Sequence, residues 1–340
     1  MKVIVTGGTG YIGSHTIVDL MQNGFEVICI DNLMRSKEYA LSGIEKITGT
    51  KPVFHYIDLC NKEATFDVIS GHKDAVGVIH FAALKSVGES VEQPLLYYHN
   101  NIDSLLNILA AVNEFDIPNF VFSSSCSVYG NADELPVTEH TLMQKAESPY
   151  AHTKQIGEDI IRNFSKVHAS QHILLRYFNP IGAHPSSFIG EIPIDKPNNL
   201  VPYITQTAIG KLQQLTVFGD DYETRDGSCI RDYIHVCDIA HAHTLALQHL
   251  LNKENESNIE VFNLGTGMGV SVLEVIEAFE KVSGQKLNYT IGQRRAGDVV
   301  AVYADNTKAE VRLGWKCQYS LEDAMLSAWN WELKMKELGL

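Results

Sequence analysis

A tyrosine and a lysine stand four residues apart in the segment Tyr150-Ala-His-Thr-Lys154. On a helix this spacing places the phenol and the ammonium on one face, about one turn apart. A phenol has a reference pKa of about 10, so a pKa near 7 requires roughly 4 kcal/mol favouring the phenolate, and a neighbouring positive charge can supply it. Ser125 ends a predicted strand and could relay a proton to Tyr150. The three residues predict acid–base chemistry, although the pair alone could be a surface tyrosine beside a surface lysine.

A glycine-rich turn near the N-terminus predicts the partner of this chemistry. The stretch Val3-Ile-Val-Thr-Gly-Gly-Thr-Gly-Tyr-Ile-Gly13 begins as a buried strand and spaces Gly7, Gly10 and Gly13 three residues apart before an amphipathic run. Such a turn brings backbone close to a pyrophosphate, and the following helix N-terminus offers N–H groups to the negative charge. No Gly-Lys-Ser/Thr sequence follows, so this is not a mononucleotide P-loop. The turn predicts a dinucleotide site.

The second predicted strand covers residues 25–30 and ends in Asp31-Asn32. A carboxylate at this position can accept hydrogen bonds from an adenosine ribose, and it would repel a 2′-phosphate. Asp31 therefore favours NAD over NADP as the cofactor. Arg35 could offset part of that repulsion, but it could also be a solvated surface arginine. An oxidised nicotinamide ring would add a second positive charge, besides Lys154, to lower the pKa of Tyr150.

The composition limits the class of protein. A chain of 340 residues with 45% hydrophobic content can bury a core large enough for one large or two medium domains. A formal net charge of −14 argues against a nucleic-acid partner. We find no signal peptide and no membrane-length apolar run, and expect a cytoplasmic protein without a membrane partner. The six cysteines lack C-x-x-C pairing and the histidines lack H-E-x-x-H, so we expect neither disulfides nor a metal site.

Apolar runs alternate with helical segments in the first half of the chain, which predicts an α/β fold with a doubly wound parallel Rossmann sheet. Further predicted strands there are 52–57, 75–81, 119–122 and 172–176, and predicted helices are 61–70, 97–114 and 150–168. From residue 177 shorter elements separated by Pro and Gly take over, with helices at 236–251, 271–282 and 321–336 and strands near 215–218 and 261–264. We therefore predict an NAD-binding Rossmann domain at 1–176 and a smaller α/β substrate domain at 177–340.

The glycine turn, Ser125 and Tyr150-x-x-x-Lys154 together resemble the extended short-chain dehydrogenase/reductase superfamily. Further stretches in both halves of the chain resemble the UDP-glucose (UDP-galactose) 4-epimerase family: Lys85-Ser-Val-Gly-Glu-Ser90, Arg176-Tyr-Phe-Asn-Pro180, Asn198-Asn-Leu200, Arg231-Asp-Tyr-Ile-His235, Asn263-Leu-Gly-Thr-Gly267 and Arg294-Arg-Ala-Gly-Asp298. The resemblance extends from Met1 to about Trp329. It implies that the sugar is oxidised at C4 by tightly held NAD, that the 4-keto sugar turns over, and that hydride returns to its other face.

The resemblance also implies a set of ligand contacts. Those around NAD are Gly7, Gly10, Tyr11, Ile12, Gly13, Asp31, Asn32, Asp58, Leu59, Phe81, Ala82, Lys85, Asn100, Ser123, Tyr150, Lys154 and Phe178. Those around the UDP-sugar are Lys85, Ser125, Tyr150, Asn179, Asn199, Leu200, Phe218, Arg231, Tyr233, Arg295, Asp298 and Val302. Arginines suit a diphosphate, and an aromatic ring can stack on uracil. Each residue could singly stabilise a loop, but the set predicts a nucleotide-sugar site.

Two other functions share parts of this pattern. A nucleotide-sugar 4,6-dehydratase begins with the same oxidation, but that family has an Asp-Glu pair after the relay residue, whereas Cys126-Ser127 follows Ser125 here. A non-catalytic NAD-sensing regulator would have no reason to keep Ser125, Tyr150 and Lys154 together. Epimerisation is therefore the predicted function.

Two expectations concern assembly and substrate breadth. Surplus apolar positions on the helices 97–114 and 150–168 predict a homodimer through a four-helix bundle, as the resemblance also implies, unless both apolar stripes are used against the sheet. The resemblance places the fourth residue after Asp298 at the sugar pocket, where a Tyr goes with exclusion of N-acetylated sugars. Val302 stands there, so we expect UDP-GlcNAc and UDP-GalNAc as further substrates. An alignment shifted by one residue would place Tyr303 there and reverse this expectation.

Overall fold

The computed structural model of the chain describes residues 1–194, 197, 199–294 and 299–340. Its strands, in chain order, are β1 (Lys2–Thr6), β2 (Glu26–Asp31), β3 (Val53–Tyr56), β4 (Gly77–His80), β5 (Asn119–Ser125), β6 (Gln171–Tyr177), β7 (Asn179–Ile181), β8 (Leu215–Phe218), β9 (Ile230–Arg231), β10 (Tyr233–His235), β11 (Ile259–Leu264), β12 (Val270–Ser271), β13 (Tyr289–Gly292) and β14 (Ala301–Val302). Its α-helices are α1 (Tyr11–Gln22), α2 (Tyr39–Thr48), α3 (Lys62–Ser70), α4 (Val87–Glu92), α5 (Pro94–Tyr98), α6 (Ser104–Glu114), α7 (Pro149–Phe164), α8 (Leu200–Ala208), α9 (Val236–Leu251), α10 (Val272–Ser283), α11 (Thr307–Leu313) and α12 (Leu321–Leu338).

A parallel sheet of seven strands forms the centre of the described structure. Its strand order is β11-β6-β5-β4-β1-β2-β3, and each neighbouring pair is parallel. The chain winds outward from β1 to β3 on one side and from β4 to β6 on the other. In such a sheet a crevice opens outside the carboxyl ends of the two central strands, where ligands bind. The predicted doubly wound Rossmann sheet is therefore confirmed.

Helices cover both faces of the sheet, which is why its central strands are almost wholly apolar. Val3 and Val5 of β1 belong to one buried cluster with Ile17 of α1 and Leu247 of α9. Ile4, which points to the opposite face, belongs to a second cluster with residues of α6 and β5. The alternation along one strand thus separates two cores and fixes which helices lie on which side.

The chain returns to the main sheet after the predicted domain boundary at residue 176. β11 pairs with β6 in parallel, with Val261 opposite Leu174, and α9 packs against α1. The sequence pattern predicts the strand near 261–264 but not its partner, because pairing depends on contacts far apart in the chain. The remaining strands form small sheets that pack with α8, α10 and α12 around a third buried cluster. Among the described helices, none is long and apolar enough to cross a membrane.

The predicted helix at 97–114 is interrupted by a π-helical turn. In place of one continuous helix, the structure has α5, the π-helical turn His99–Asp103 and α6 in succession. Asn101 in the turn is buried, and its side chain accepts from Leu84 N (2.8 Å) and donates to Leu84 O (3.0 Å) and Thr153 Oγ1 (3.0 Å). The turn therefore ties the loop after β4 to α7. The spacing of apolar residues is similar in an α-helix and a locally widened one, so the sequence predicts only a continuous helix.

Candidate active site

Helix α7 carries the predicted acid–base residues in its first turns. Ser148 is its N-cap and accepts a hydrogen bond from Ala151 N at 3.2 Å, while Pro149 occupies the first helical position. These residues fix where the helix begins and hence the positions of Tyr150 and Lys154. The ammonium of Lys154 is buried and donates to the carbonyl of Ser123 at 2.6 Å.

The structure brings the predicted catalytic residues together at the carboxyl end of β5. The hydroxyl of Ser125 lies close enough to the phenol of Tyr150 to lower the pKa of that phenol. Ser125 also accepts from Ser127 N at 3.2 Å, which fixes the start of the loop after the strand. Lys154 reaches the same strand two residues earlier, at the carbonyl of Ser123. A hydroxyl, a phenol and an ammonium thus occupy one corner of the crevice.

Burial dominates the electrostatics of this corner. Burial raises the pKa of the Tyr150 phenol above its ordinary value. Neighbouring Tyr177 adds to this effect, and the nearby hydroxyl of Ser125 opposes it. Burial also lowers the pKa of Lys154 to about 8, although Glu158 opposes the change. The direction at Tyr150 is opposite to that required of a base, so Lys154 does not by itself provide the predicted lowering.

A buried network that the sequence analysis missed lies behind these residues. The carboxylate of Glu158 accepts from Arg176 Nε (2.8 Å) and Nη2 (2.5 Å) and from Ser124 Oγ (2.6 Å). Arg176 Nη1 also donates to the hydroxyl of Tyr129 at 3.0 Å, which in turn donates to Asn263 Oδ1 at 2.6 Å. The network joins α7, β5, β6 and β11. Its sequence signal is a glutamate four residues after Lys154, on the same helix face.

The two charges of this network stabilise each other. Glu158 is 0% exposed and Arg176 is 2% exposed. Burial works against the charged form of Glu158, yet its bonds to Arg176 and Ser124 hold the pKa of this carboxyl below the usual range. The ion pair thus fixes α7 against the sheet.

The glycine turn has the close backbone approach that the sequence predicts. Gly7 has a φ of +67°, and a Cβ atom there would lie 2.7 Å from Ala82 N. A Cβ atom on Gly13 would lie 2.3 Å from Gly7 O. Gly10 is the N-cap of α1, and no side chain caps this helix. At Gly7, Gly10 and Gly13 the turn therefore presents backbone without side chains in front of a helix N-terminus, which fits a pyrophosphate.

Asp31 is held against the glycine turn from the end of β2. Its Oδ2 accepts from Thr9 N at 3.1 Å, and its Oδ1 accepts from Leu33 N at 2.8 Å and Ser36 Oγ at 3.1 Å. Asn32 and Asp58 likewise accept from backbone N–H groups two residues further on, Met34 N and Cys60 N. Three predicted cofactor contacts therefore also order the turns that follow β2 and β3.

The other predicted cofactor contacts lie along or beneath the same crevice. Phe81 and Ala82 follow β4; the ring of Phe81 packs on His243 with centroids 4.5 Å apart, and Ala82 N donates to Thr6 Oγ1 at 3.4 Å. Ile12, Leu59 and Phe178 belong to buried clusters, Asn100 Nδ2 donates to Asn101 Oδ1, and Ser123 Oγ is bonded to the hydroxyl of Tyr177. The predicted cofactor contacts thus include backbone, carboxylate and apolar groups.

One carboxylate connects the predicted cofactor and nucleotide-sugar contacts. Glu191 Oε1 accepts from Lys85 Nζ at 2.8 Å and from Asn199 Nδ2 at 3.3 Å. The Lys85 ammonium also lies 5.8 Å from the ring centroid of Tyr11, whose hydroxyl donates to Gly182 O at 2.5 Å. No local pattern marks Glu191, because its ion-pair partner Lys85 is 106 residues away in the sequence.

The predicted nucleotide-sugar contacts come from several short elements. Asn179 of β7 pairs with Tyr233 of β10, and Arg231 of β9 is opposite Val302 of β14. Phe218 ends β8 and is 44% exposed. Asn199 is the N-cap of α8, and Leu200 is its first residue. Two further predicted contacts, Arg295 and Asp298, lie outside the described residues.

Comparisons with known proteins identify the relatives of this site. A family model described as GDP-mannose 4,6 dehydratase matches residues 4–327. UDP-glucose 4-epimerase of Bacillus subtilis is 46% identical over 98% of this chain and 97% of its own length. UDP-glucose 4-epimerase 2 of Arabidopsis thaliana is 47% identical over 97% of this chain and 94% of its own length. The chain belongs to the UDP-glucose 4-epimerase family.

Solved structures of this family have the same fold. UDP-glucose-4-epimerase from Stenotrophomonas maltophila, with bound NAD and formylated UDP-arabinopyranose, matches with a TM-score of 0.96 and 44% identity over 99% of both chains. UDP-glucose 4-epimerase from Bifidobacterium longum, in complex with NAD+ and UDP, has a TM-score of 0.93 and 42% identity over 98% of both chains. The predicted membership of the epimerase family is confirmed. The dehydratase alternative is not favoured, although one matching family model bears that name.

The buried ion pair of α7 generates a stability prediction. Glu158→Gln should lower the free energy of unfolding by about 3–5 kcal/mol, because Arg176 would stay buried without its counter-charge. Urea unfolding followed by circular dichroism measures this change. Asp159→Asn alters the next residue, on the exposed side of the same helix, and should change stability by less than about 0.5 kcal/mol. Equal stability of the two variants would contradict the assigned role.

Proposed function

We propose that the chain holds NAD and interconverts UDP-glucose and UDP-galactose by inverting C4 of the sugar. The observation that carries this proposal is that Ser125, Tyr150 and buried Lys154 come together at the carboxyl end of β5, where Lys154 donates to the carbonyl of Ser123. It is supported by relatives that are named for this activity and by family structures that contain NAD with UDP or a UDP-sugar. When bound, NAD would supply the acceptor and then the donor of the C4 hydride, and its oxidised form would add positive charge to the site.

The cofactor would be held mainly by backbone groups. The N–H groups of the turn around Gly7, Gly10 and Gly13 suit the pyrophosphate, since these three residues have no side chain. Asp31 would accept the ribose hydroxyls with an orientation that its bonds to the turn already fix. The further contacts that we propose are Tyr11, Ile12, Asn32, Asp58, Leu59, Phe81, Ala82, Lys85, Asn100, Ser123 and Phe178.

The proton would move between the sugar 4-hydroxyl and Tyr150 Oη, with Ser125 Oγ as the bridge. Burial raises the pKa of Tyr150, so the phenolate needs nearby positive charge. Buried Lys154 contributes one such charge, and the oxidised cofactor contributes the other. Tyr150 would then act as base in the first half of the reaction and as acid in the second.

The protein must bind the nucleotide tightly and the sugar weakly, because the 4-keto sugar has to rotate in the pocket between the two half-reactions. Arg231 and Arg295 would bind the diphosphate, and the exposed ring of Phe218 would face uracil. Asn179, Asn199, Leu200, Tyr233 and Asp298 complete the proposed contacts. Around the sugar we propose the apolar side chains of Phe178 and Val302, which offer no directional bonds.

This assignment implies that different parts of the chain bind NAD and the UDP-sugar. Residues 1–176 would bind NAD, together with 236–264, which return to the main sheet as α9 and β11. The other residues of 177–340 would bind the UDP-sugar.

We also propose a cytoplasmic location and a role in galactose metabolism. All six cysteines are free. Free thiols are typical of proteins in a reducing compartment. The role in galactose metabolism follows from the proposed substrates, UDP-galactose and UDP-glucose.

Val302 and Tyr303 face different surroundings, which supports Val302 as the sugar-pocket residue. Val302 packs against the buried cluster that contains Phe178. Tyr303 is on the other side, since a Cβ atom on Gly269 would lie 3.0 Å from its ring. Val302 is the last residue of β14 and packs beside Phe178, whereas Tyr303 follows the strand and lies near Gly269, so Val302 is the better candidate for the pocket. We therefore propose that an acetamido group fits there and that UDP-GlcNAc and UDP-GalNAc are also interconverted.

An exposed apolar surface on three consecutive helices supports a homodimer. Most of the apolar stripe of α6 is buried against the sheet, but Leu106 is 46% exposed and Leu95 of α5 is 81% exposed. Val87 and Val91 of α4 are exposed beside them. Such patches on the surface of a single chain often mark an interface. We propose that α5 and α6, with neighbouring α7, pair with a second copy of the chain.

Tyr150→Phe tests the proposed base. The variant should retain NAD and UDP binding but lose turnover by a factor of at least ~10², because it has no ionisable group at Oη. The assay follows conversion of UDP-galactose to UDP-glucose, and Tyr289→Phe, at a half-exposed ring of β13, serves as the control with unchanged turnover. Near-normal activity of the Tyr150 variant would refute the assignment. Wild-type protein that binds NAD but converts no UDP-galactose would favour a regulator, and loss of water from the sugar would favour a dehydratase.

Val302→Tyr tests the substrate breadth. The ring should fill the space for the acetamido group, so activity on UDP-GlcNAc and UDP-GalNAc should fall at least ~10-fold, while activity on UDP-galactose stays within about 2-fold. Val311→Tyr, at an exposed site on α11, is the matched control and should alter neither. If wild-type protein turns over UDP-galactose readily yet has no activity on UDP-GlcNAc, the proposal is wrong.

Leu95→Asp and Leu106→Asp test the assembly. Light scattering at micromolar concentration should give twice the 37.8 kDa mass of one chain for the wild type. Each aspartate should weaken association at least ~10-fold, because a charge would be buried in an apolar contact. Val311→Asp on α11 should leave the mass unchanged. A monomeric wild type would exclude the proposed dimer.

A further inference from the structure

Arg35 and Glu89 form an ion pair beside the glycine turn. Arg35 follows β2, and Glu89 belongs to α4, which follows β4. The Nη2 group of Arg35 donates to Glu89 Oε1. Neither residue is among the proposed contacts to NAD or to the UDP-sugar.

Arg35 lies on the same rim of the crevice as Asp31. The next residue, Ser36, donates to Asp31 Oδ1 at 3.1 Å, and its hydroxyl lies 2.7 Å from Thr9 Oγ1 in the glycine turn. Arg35 and Gly10 also line one cavity. The loop after β2 therefore places a guanidinium close to the carboxylate that we propose to bind the adenosine ribose.

This placement affects the choice between NAD and NADP. A carboxylate at the ribose repels a 2′-phosphate, whereas a nearby arginine accommodates one. Asp31 and Arg35 together carry no net charge, so the two would partly cancel. Glu89 adds a negative charge and brings the sum of the three residues to −1. With the carboxylate of Glu89 in place, the rim stays unfavourable to an additional phosphate.

Glu89 is held in this position by a buried tyrosine. Its Oε2 accepts a hydrogen bond from the hydroxyl of Tyr97 at 2.7 Å. Tyr97 is fully buried, and its hydroxyl also accepts from Ser86 N at 3.0 Å. Ser86 is the N-cap of α4 and accepts from Glu89 N at 3.4 Å. One carboxylate oxygen is thus anchored to the protein interior, and the other is presented to Arg35.

We propose that Glu89 determines cofactor specificity by pairing with Arg35, so that the guanidinium does not compensate the repulsion between Asp31 and a 2′-phosphate. The inference rests on the proposed use of a nicotinamide dinucleotide. It assigns a function to Glu89, which is 58 residues from Asp31 in the sequence. Glu89 acts through Arg35 and is a specificity-determining residue without a direct part in the reaction.

The test is a competition between the two dinucleotides. Purified full-length protein is incubated with excess equimolar NAD+ and NADP+ and separated from unbound nucleotide, and the bound nucleotide is released by denaturation and quantified by chromatography. Glu89→Gln should raise the ratio of bound NADP+ to NAD+ on the order of 5-fold, the effect of one partly exposed charge pair. Glu92→Gln makes the same change at an exposed position of the same helix and should alter the ratio by less than about 2-fold.

A double variant shows whether the effect passes through Arg35. Arg35→Gln combined with Glu89→Gln should return the ratio to within about 2-fold of the wild type. Tyr97→Phe keeps all charges but removes the hydroxyl that anchors Glu89, and should produce a smaller rise of the same sign. An unchanged ratio of bound NADP+ to NAD+ in folded Glu89→Gln overturns the proposal. So does a raised ratio that persists in the double variant, which lacks Arg35. If Glu89→Gln does not fold, the Tyr97→Phe ratio decides in the same way.

The proposed function can fail separately from this inference. The same wild-type preparation is assayed for interconversion of UDP-galactose and UDP-glucose. Protein that binds NAD+ but lacks this activity contradicts the proposed function, while the nucleotide ratios still decide the role of Glu89. Protein that binds neither dinucleotide contradicts both.

Discussion

The structure depends on one close approach between two backbones at the centre of a parallel sheet. The carboxyl ends of β1 and β4 are neighbours, and the turn after β1 passes so near Ala82 that only hydrogen fits in place of a side chain at Gly7. Gly13 allows α1 to start directly against the same turn. Larger residues would push the helix away from the strand and close the crevice. The positions of Asp31, Phe81 and the end of β5 are all set relative to this contact.

Buried charge is the second constraint, and it fixes α7 against the sheet. Lys154, Glu158 and Arg176 are all buried, and desolvation opposes the charged form of each. Glu158 and Arg176 compensate each other's charge through two hydrogen bonds. Among the described residues, Lys154 has no such buried counter-charge in direct contact, and desolvation lowers its pKa to about 8. The carbonyl of Ser123 is its close acceptor. The helix therefore presents one incompletely compensated positive charge to the crevice.

The sequence predicted the parts of this arrangement that follow from local repeats. Helical spacing relates Tyr150 to Lys154, and glycine spacing together with Asp31 at a strand end indicates a dinucleotide site. Interactions between distant segments left no such pattern. The pairing of β11 with β6 and the partners of Glu158, Glu191 and Glu89 depend on which strands become neighbours. The π-helical turn depends on one buried amide, Asn101, whose partners are likewise distant in sequence.

The electrostatics of Tyr150 connect proton transfer to the redox state of the cofactor in the proposed reaction. Burial keeps this phenol protonated, and Lys154 bonds to a carbonyl, so the chain's own residues favour a hydrogen-bond donor at Oη over a base. Phenolate becomes favourable only when more positive charge is present, as it is with an oxidised nicotinamide. The same base would lose its strength once that charge is neutralised by reduction, and it would then return its proton. A raised pKa in the protein itself therefore suits a reaction in which one tyrosine must first accept a proton and then donate it.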